Sequence, residues 1–193
     1  MKNLEIPYLL TAYAMGVVIY YVNRNKDYLT VSETAANNKL GRQAFFWGLL
    51  ISGILFEFLM FKWVIPHYHF GKSLSVVTVV LFVLQVLTGL IPARGKRLNV
   101  IHLACAFGLG LAMVVTILFF ATHSGIHNSV QVICALLAAV MISLIAMTRK
   151  LSSTKYLRHQ NIFFGCWHIA LFTVVYFGYK SQSAENTQDF EYH

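Results

Sequence analysis

Charge is what this chain has least of. Acidic and basic residues together make up 11% of it, against roughly a quarter in a soluble domain, so the hydrated shell such a domain needs cannot be built. Acidic residues are scarcest, seven in all, and Glu57 alone lies inside an apolar run. Proline is nearly absent. Two of the three prolines, Pro66 and Pro92, fall where apolar runs close, at positions where a helix need not continue. Cys105, Cys134 and Cys166 each sit within an apolar run and form no CxxC, which excludes a disulfide framework and leaves small buried hydrophobes. P-loop, GxSxG, HExxH and CxxCH patterns are missing. Gly95 stands alone among Arg94, Lys96 and Arg97 and makes no phosphate loop.

What fills the chain instead is apolar. Hydrophobic residues reach 58% and gather into six runs, at about 6–23, 44–65, 74–92, 98–121, 130–148 and 161–180. A helix needs about 20 apolar residues to cross a bilayer. The fold expected is therefore all-α, a polytopic transmembrane six-helix bundle, with one domain over 1–180 and a polar tail at 181–193. The loops leave no room for a soluble domain. Near the start, Lys2 and Ala12-Tyr13-Ala14 resemble a signal peptide. The apolar part before that point is short, contains Pro7 and continues to Val22, so an uncleaved first helix is expected.

The net charge of +8 belongs to the loops. Eleven of the fifteen Lys and Arg residues fall in alternate gaps: Arg24, Lys26, Lys39 and Arg42; Arg94, Lys96 and Arg97; Arg149, Lys150, Lys155 and Arg158. The positive-inside rule then puts loops 24–43, 93–97 and 149–160 in the cytoplasm and both termini outside, in a cell (inner) membrane. Basic residues flanking hydrophobic runs serve orientation and anionic headgroups, and no aromatic-basic motif for nucleic acid occurs outside the helices. Trp63, Tyr68 and Tyr179 at outer ends, and Tyr21, Trp47, Tyr156 and Trp167 at inner ends, fit interfacial aromatic belts. Ala104, Gly108 and Ala112 recur every four residues, as do Ala135, Ala139 and Ser143. Small residues so spaced let helix backbones approach in lipid, so spans four and five are expected to meet along these ladders.

Few residues can carry chemistry. Glu57 falls past the midplane toward the outer face, where an ionisable group is costly unless it pairs or lines a wet cavity. It is a candidate ion- or ligand-binding residue that should reach a group on another span or water. Gln85, His102 and His168 fall at similar depths toward the cytoplasmic side and could hold a polar headgroup or a metal. Zinc would want three N, S or O ligands and an open fourth position, so Cys166 would have to join the two histidines. His102 and His168 are also the best pair for a bis-histidine haem. On the outer side His67 and His69 in one loop, with His123 and His127 in another, could converge on a transition metal.

Ser32-Glu33-Thr34-Ala35-Ala36-Asn37-Asn38 before span two, and Gly89-Leu90-Ile91-Pro92 followed by His102-Leu103-Ala104, resemble the helix-two entry and the G-x-x-P…H…A junction of a six-helix membrane family. That family is known as domain of unknown function 998 and is distantly Frag1/DRAM-like. The resemblance covers nearly the whole chain. It implies weight for Ser32, Glu33 and His102 near the cytoplasmic face, and through a wider grouping it touches metal-dependent membrane hydrolases such as alkaline ceramidases. Their late HxxxH on a final helix is missing, and span six offers only His168. Three functions follow as expectations. The first is a non-enzymatic bundle binding lipid, a small molecule, another membrane protein or a second copy. The others are a metal-dependent lipid hydrolase using His102 and His168, and a transporter or channel subunit using Glu57.

Overall fold

Residues 39–91, 96–148 and 153–178 are described by the computed structural model. The expected span 6–23, the motif at 32–38 and the tail 181–193 lie outside the described residues. Among the described residues every regular element is helical. Helix α1 covers Lys39–Leu59 and is carried on by a π-helical turn, Met60–Val64, and by Ile65–His67. Helices α2 (Lys72–Leu90), α3 (Lys96–Thr122) and α4 (Asn128–Met147) follow. Helix α5 (Ser153–Thr173) is carried on by a second π-helical turn, Val174–Gly178. These five helices are long and apolar enough to cross a membrane, and each matches one of the last five expected spans within a few residues. The 19 residues of α2 reach roughly 30 Å at about 1.5 Å per residue, the thickness of the hydrocarbon core.

The burial pattern is that of a protein in lipid. Helix α2 buries Leu74, Thr78, Leu81, Gln85 and Thr88, one stripe at alternating spacings of four and three. Its outward face carries Val76, Val79, Val80, Val83 and Leu87. The polar residues point inward and the valines outward, which water would not permit. Helix α4 buries Val130, Cys134, Ala138, Met141 and Leu144 and exposes Val132, Ile133, Leu136, Val140 and Ile142. The chain is an integral membrane protein. The inward hydroxyls satisfy themselves: Thr78, Thr88, Thr116 and Thr173 each donate to the carbonyl four residues back. In hydrocarbon an unmet hydroxyl would cost more than the slight helix bending such bonds cause.

Neighbours in sequence are neighbours in space, and α5 returns to α1 through Phe56 against Trp167, ring centroids 5.4 Å apart. Glycines let α1 and α2 pack tightly. A Cβ on Gly53 would stand 2.9 Å from Phe82, and one on Gly89 would stand 3.3 Å from Phe46. The expected contact of spans four and five along two small-residue ladders is not what forms. Gly108 faces Leu84 of α2, and Ala104 is exposed. Ala135, Ala139 and Ser143 all lie on the outward face of α4, whose inward stripe runs through Cys134, Ala138 and Met141. Helices α3 and α4 do pack together, but along other faces.

The end of α1 shows how Pro66 is accommodated. A proline has no N–H, and its ring crowds the carbonyl four residues earlier. The turn before it widens into the π-helical segment, where Ile65 N–H reaches Met60 O. The helix then closes in a Schellman pair, Phe70 N–H to Ile65 O and His69 N–H to Pro66 O. His69 occupies the left-handed position of that motif at φ 55. Two aromatic residues assigned to interfacial belts belong to the core instead: Trp167 is 4% exposed and so is Tyr68. Trp47, at 56%, stays outward. Cys134 and Cys166 are buried, and all three cysteines are free thiols.

Candidate functional site

Gln85 is the polar centre of the α1–α2 contact. Its Nε2 donates to the Leu49 carbonyl at 2.7 Å and to Ser52 Oγ at 2.9 Å, while Ser52 donates to the same carbonyl. Gly53 makes this possible, because its missing side chain leaves the space that Phe82 and the Gln85 amide enter. Ser52 and Gln85 line a cavity of about 20 Å³ between α1, α2, α3 and α5. His168 closes it from α5, with Trp167 and Phe56 beside it and Met113 facing from α3. A volume of that size holds one water and neither a lipid chain nor an organic ligand.

His102 is placed elsewhere. It is buried on α3, and its Nδ1 donates to the Ile91 carbonyl at 2.7 Å. A carbonyl can only accept, so the ring carries a proton on Nδ1. Ile91 precedes Pro92, which pushes it toward extended backbone, and it sits at φ −87 and ψ 110. His102 thus anchors the end of α2 to α3. The structure brings Gln85 and His168 to one cavity and keeps His102 out of it. No three residues among His, Cys, Asp and Glu come together among the described residues, so a zinc set of His102, His168 and Cys166 is not assembled there.

Glu57 lies on α1 one residue past Phe56 and is not part of the cavity. It is half-buried, and its Oε1 is shielded without a hydrogen-bond partner among the described residues. The reach to another span expected from its depth is not made by that oxygen.

The turns at 68–71 and 123–127 meet at the opposite end from exposed Arg42, Arg97 and Arg158. Of the four histidines at this end, His123 packs its ring on Phe70 at 4.1 Å, and its Nδ1 accepts from Gly125 N–H at 3.1 Å. Burial first, and His69 nearby second, hold its pKa below the usual histidine value. His127 caps α4, its Nδ1 accepting from Ser129 N–H at 3.4 Å. His67 packs edge-on against Tyr68. These rings serve turn and cap roles rather than converging on one point. Tyr68 donates to the Val174 carbonyl at 3.0 Å, and burial first, with Cys134 second, pushes its pKa up to about 12.

Ser52 and Tyr68 were not singled out by sequence as polar partners. The available signal for Ser52 was its distance from the 68–71 turn, which is within two residues of that of Gln85 on the antiparallel neighbour. Comparison with family models, with curated proteins and with solved structures found no match.

Proposed function

We propose that the chain acts without catalysis, as a membrane-embedded bundle that binds another membrane protein or a second copy of itself along α4. The observation that carries this is the outward ladder of Ala135, Ala139 and Ser143, three small residues at four-residue spacing on a face that no described helix covers. Small residues in this pattern let a second helix approach closely in lipid. The cavity lined by Ser52, Gln85 and His168 is itself too small for a lipid or organic ligand. By the positive-inside rule the end bearing Arg42, Arg97 and Arg158 is cytoplasmic. A photo-crosslinking residue at Ala139, in native membranes, is expected to give a discrete protein adduct that disappears with Ala135→Leu. The same residue at Leu136, 63% exposed on the adjoining face, is expected to give lipid adducts. Lipid adducts alone at both positions would refute the reading, and a doubled mass would identify a second copy.

A second reading rests on Glu57, whose shielded oxygen lacks a partner among the described residues. A cation or a proton carried along the α1 flank would supply one. Cation or proton flux into liposomes that is abolished by Glu57→Gln favours this transporter or channel reading; absence of flux in wild type removes it. The resemblance to the six-helix family is compatible with either.

A further inference from the structure

We infer that the cavity between Ser52, Gln85 and His168 is a binding site for a single structural water, which forms a polar joint between α5 and the α1–α2 pair. Size is the first argument. The volume of about 20 Å³ exceeds the roughly 10–15 Å³ that one water needs and falls short of two. Chemistry is the second. Apolar cavities of this kind stay dry, and a water is held only where it finds two to four polar partners. Most of the wall is apolar, but three polar side chains from three helices enter it, and two of them are almost fully buried: Ser52 at 1% exposure and Gln85 at 5%.

The hydrogen-bond inventory supplies the third argument. Both Nε2 hydrogens of Gln85 are taken, one by the Leu49 carbonyl and one by Ser52 Oγ. Its Oε1 accepts nothing from the described residues. Ser52 donates its hydrogen to Leu49 and accepts once from Gln85, which leaves one lone pair. The α1–α2 side of the cavity therefore presents acceptors without donors, and a water brings two O–H donors. The His168 ring faces the same space from α5 and carries both donor and acceptor capacity. A sodium ion would require several more oxygen ligands than these walls offer, so water is the ligand the site fits.

Radiolytic hydroxyl labelling of the whole protein in lipid nanodiscs tests this, because radicals form from bound water inside the protein. Met113 lines the cavity at 4% exposure, whereas Met60 and Met141 are fully buried away from it. Met113 is expected to oxidise several-fold faster than Met60 and Met141, and Gln85→Leu is expected to bring it down to their rate. A wild-type Met113 no faster than the two reference methionines means a dry cavity and overturns the inference, whether or not the variant folds. Unchanged Met113 labelling in a folded Gln85→Leu protein overturns it equally, since the label would then come from elsewhere.

Discussion

Tyr68 donates its hydroxyl to the carbonyl of Val174 at 3.0 Å, joining two residues that lie 106 positions apart. The bond ties the turn after α1 to the first residue of the π-helical segment that ends α5. Both π-helical turns thus lie at the end of the bundle where the 68–71 and 123–127 turns meet. The first relieves the crowding around Pro66, and the carbonyl at the start of the second accepts from a side chain. Phe70, two residues on, packs on Phe120 and on His123, so the same turn is bound to α3 as well.

Removing that hydroxyl takes from the Val174 carbonyl the hydrogen bond that ties the two segments together. Tyr68→Phe is expected to destabilise the protein by about 0.5–1.5 kcal/mol, the net worth of one hydrogen bond. Alkali gives an independent check. The folded-state pKa is pushed up to about 12 from an ordinary 10, so the unfolded chain releases this proton first. The contribution is whole below pH 10 and is lost as the pH rises toward 12. Unfolding followed against pH should show that loss in wild type and a shallower one in Tyr68→Phe.

His123 gives the opposite dependence. Its pKa is held below the ordinary 6.5, chiefly by burial and then by His69, and its Nδ1 accepts from Gly125 N–H. The unfolded chain takes up this proton before the folded one does. Stability from this group is present above pH 6.5 and declines as the pH falls through the lowered value. His123→Asn retains a short acceptor and has no titration in this range. A variant whose acid unfolding profile matches wild type would show that His123 is not the titrating group.

Gly53 tests the α1–α2 contact. An added methyl would stand 2.9 Å from Phe82 and 3.3 Å from Gln85 Nε2, so one ring and one hydrogen-bonded amide must move. Gly53→Ala is expected to cost about 1–3 kcal/mol by overpacking, measured by denaturant unfolding in micelles. Ala139→Leu, on the open face of α4, is expected to leave the unfolding of the isolated chain nearly unchanged. Equal losses in the two variants would contradict the packing described.

The bundle was legible in the sequence because hydrocarbon imposes a length and an apolar composition on every span. The ladders were not. A spacing of four residues marks one face of a helix but carries no information on what faces it, and so Gly108 met Leu84 while Ala135, Ala139 and Ser143 met no described helix. His102 and Gln85 were recognisable as buried polar residues. Their partners were not, because the Ile91 and Leu49 carbonyls are backbone groups that leave no trace in residue identity. Trp167 and Tyr68 carry the chemistry of interface residues, and only the fold shows that Phe56 and Val174 draw them inward.

Glu57 remains the sharpest question that a substitution can answer. Its Oε1 is shielded by the chain and receives no hydrogen bond from the described residues. A buried acceptor left unmet costs about 1–3 kcal/mol, so removing it without replacing it should help an isolated bundle. Glu57→Leu is therefore expected to raise the unfolding free energy by that amount in micelles, with buried Trp167 as the fluorescent reporter. Glu57→Gln keeps the shape and an oxygen, and should change stability little. A fall in stability with Leu would instead reveal a donor or cation on the α1 flank that those residues do not supply. The Gln variant then distinguishes the two, since an amide still accepts a hydrogen bond but binds a cation far more weakly than a carboxylate.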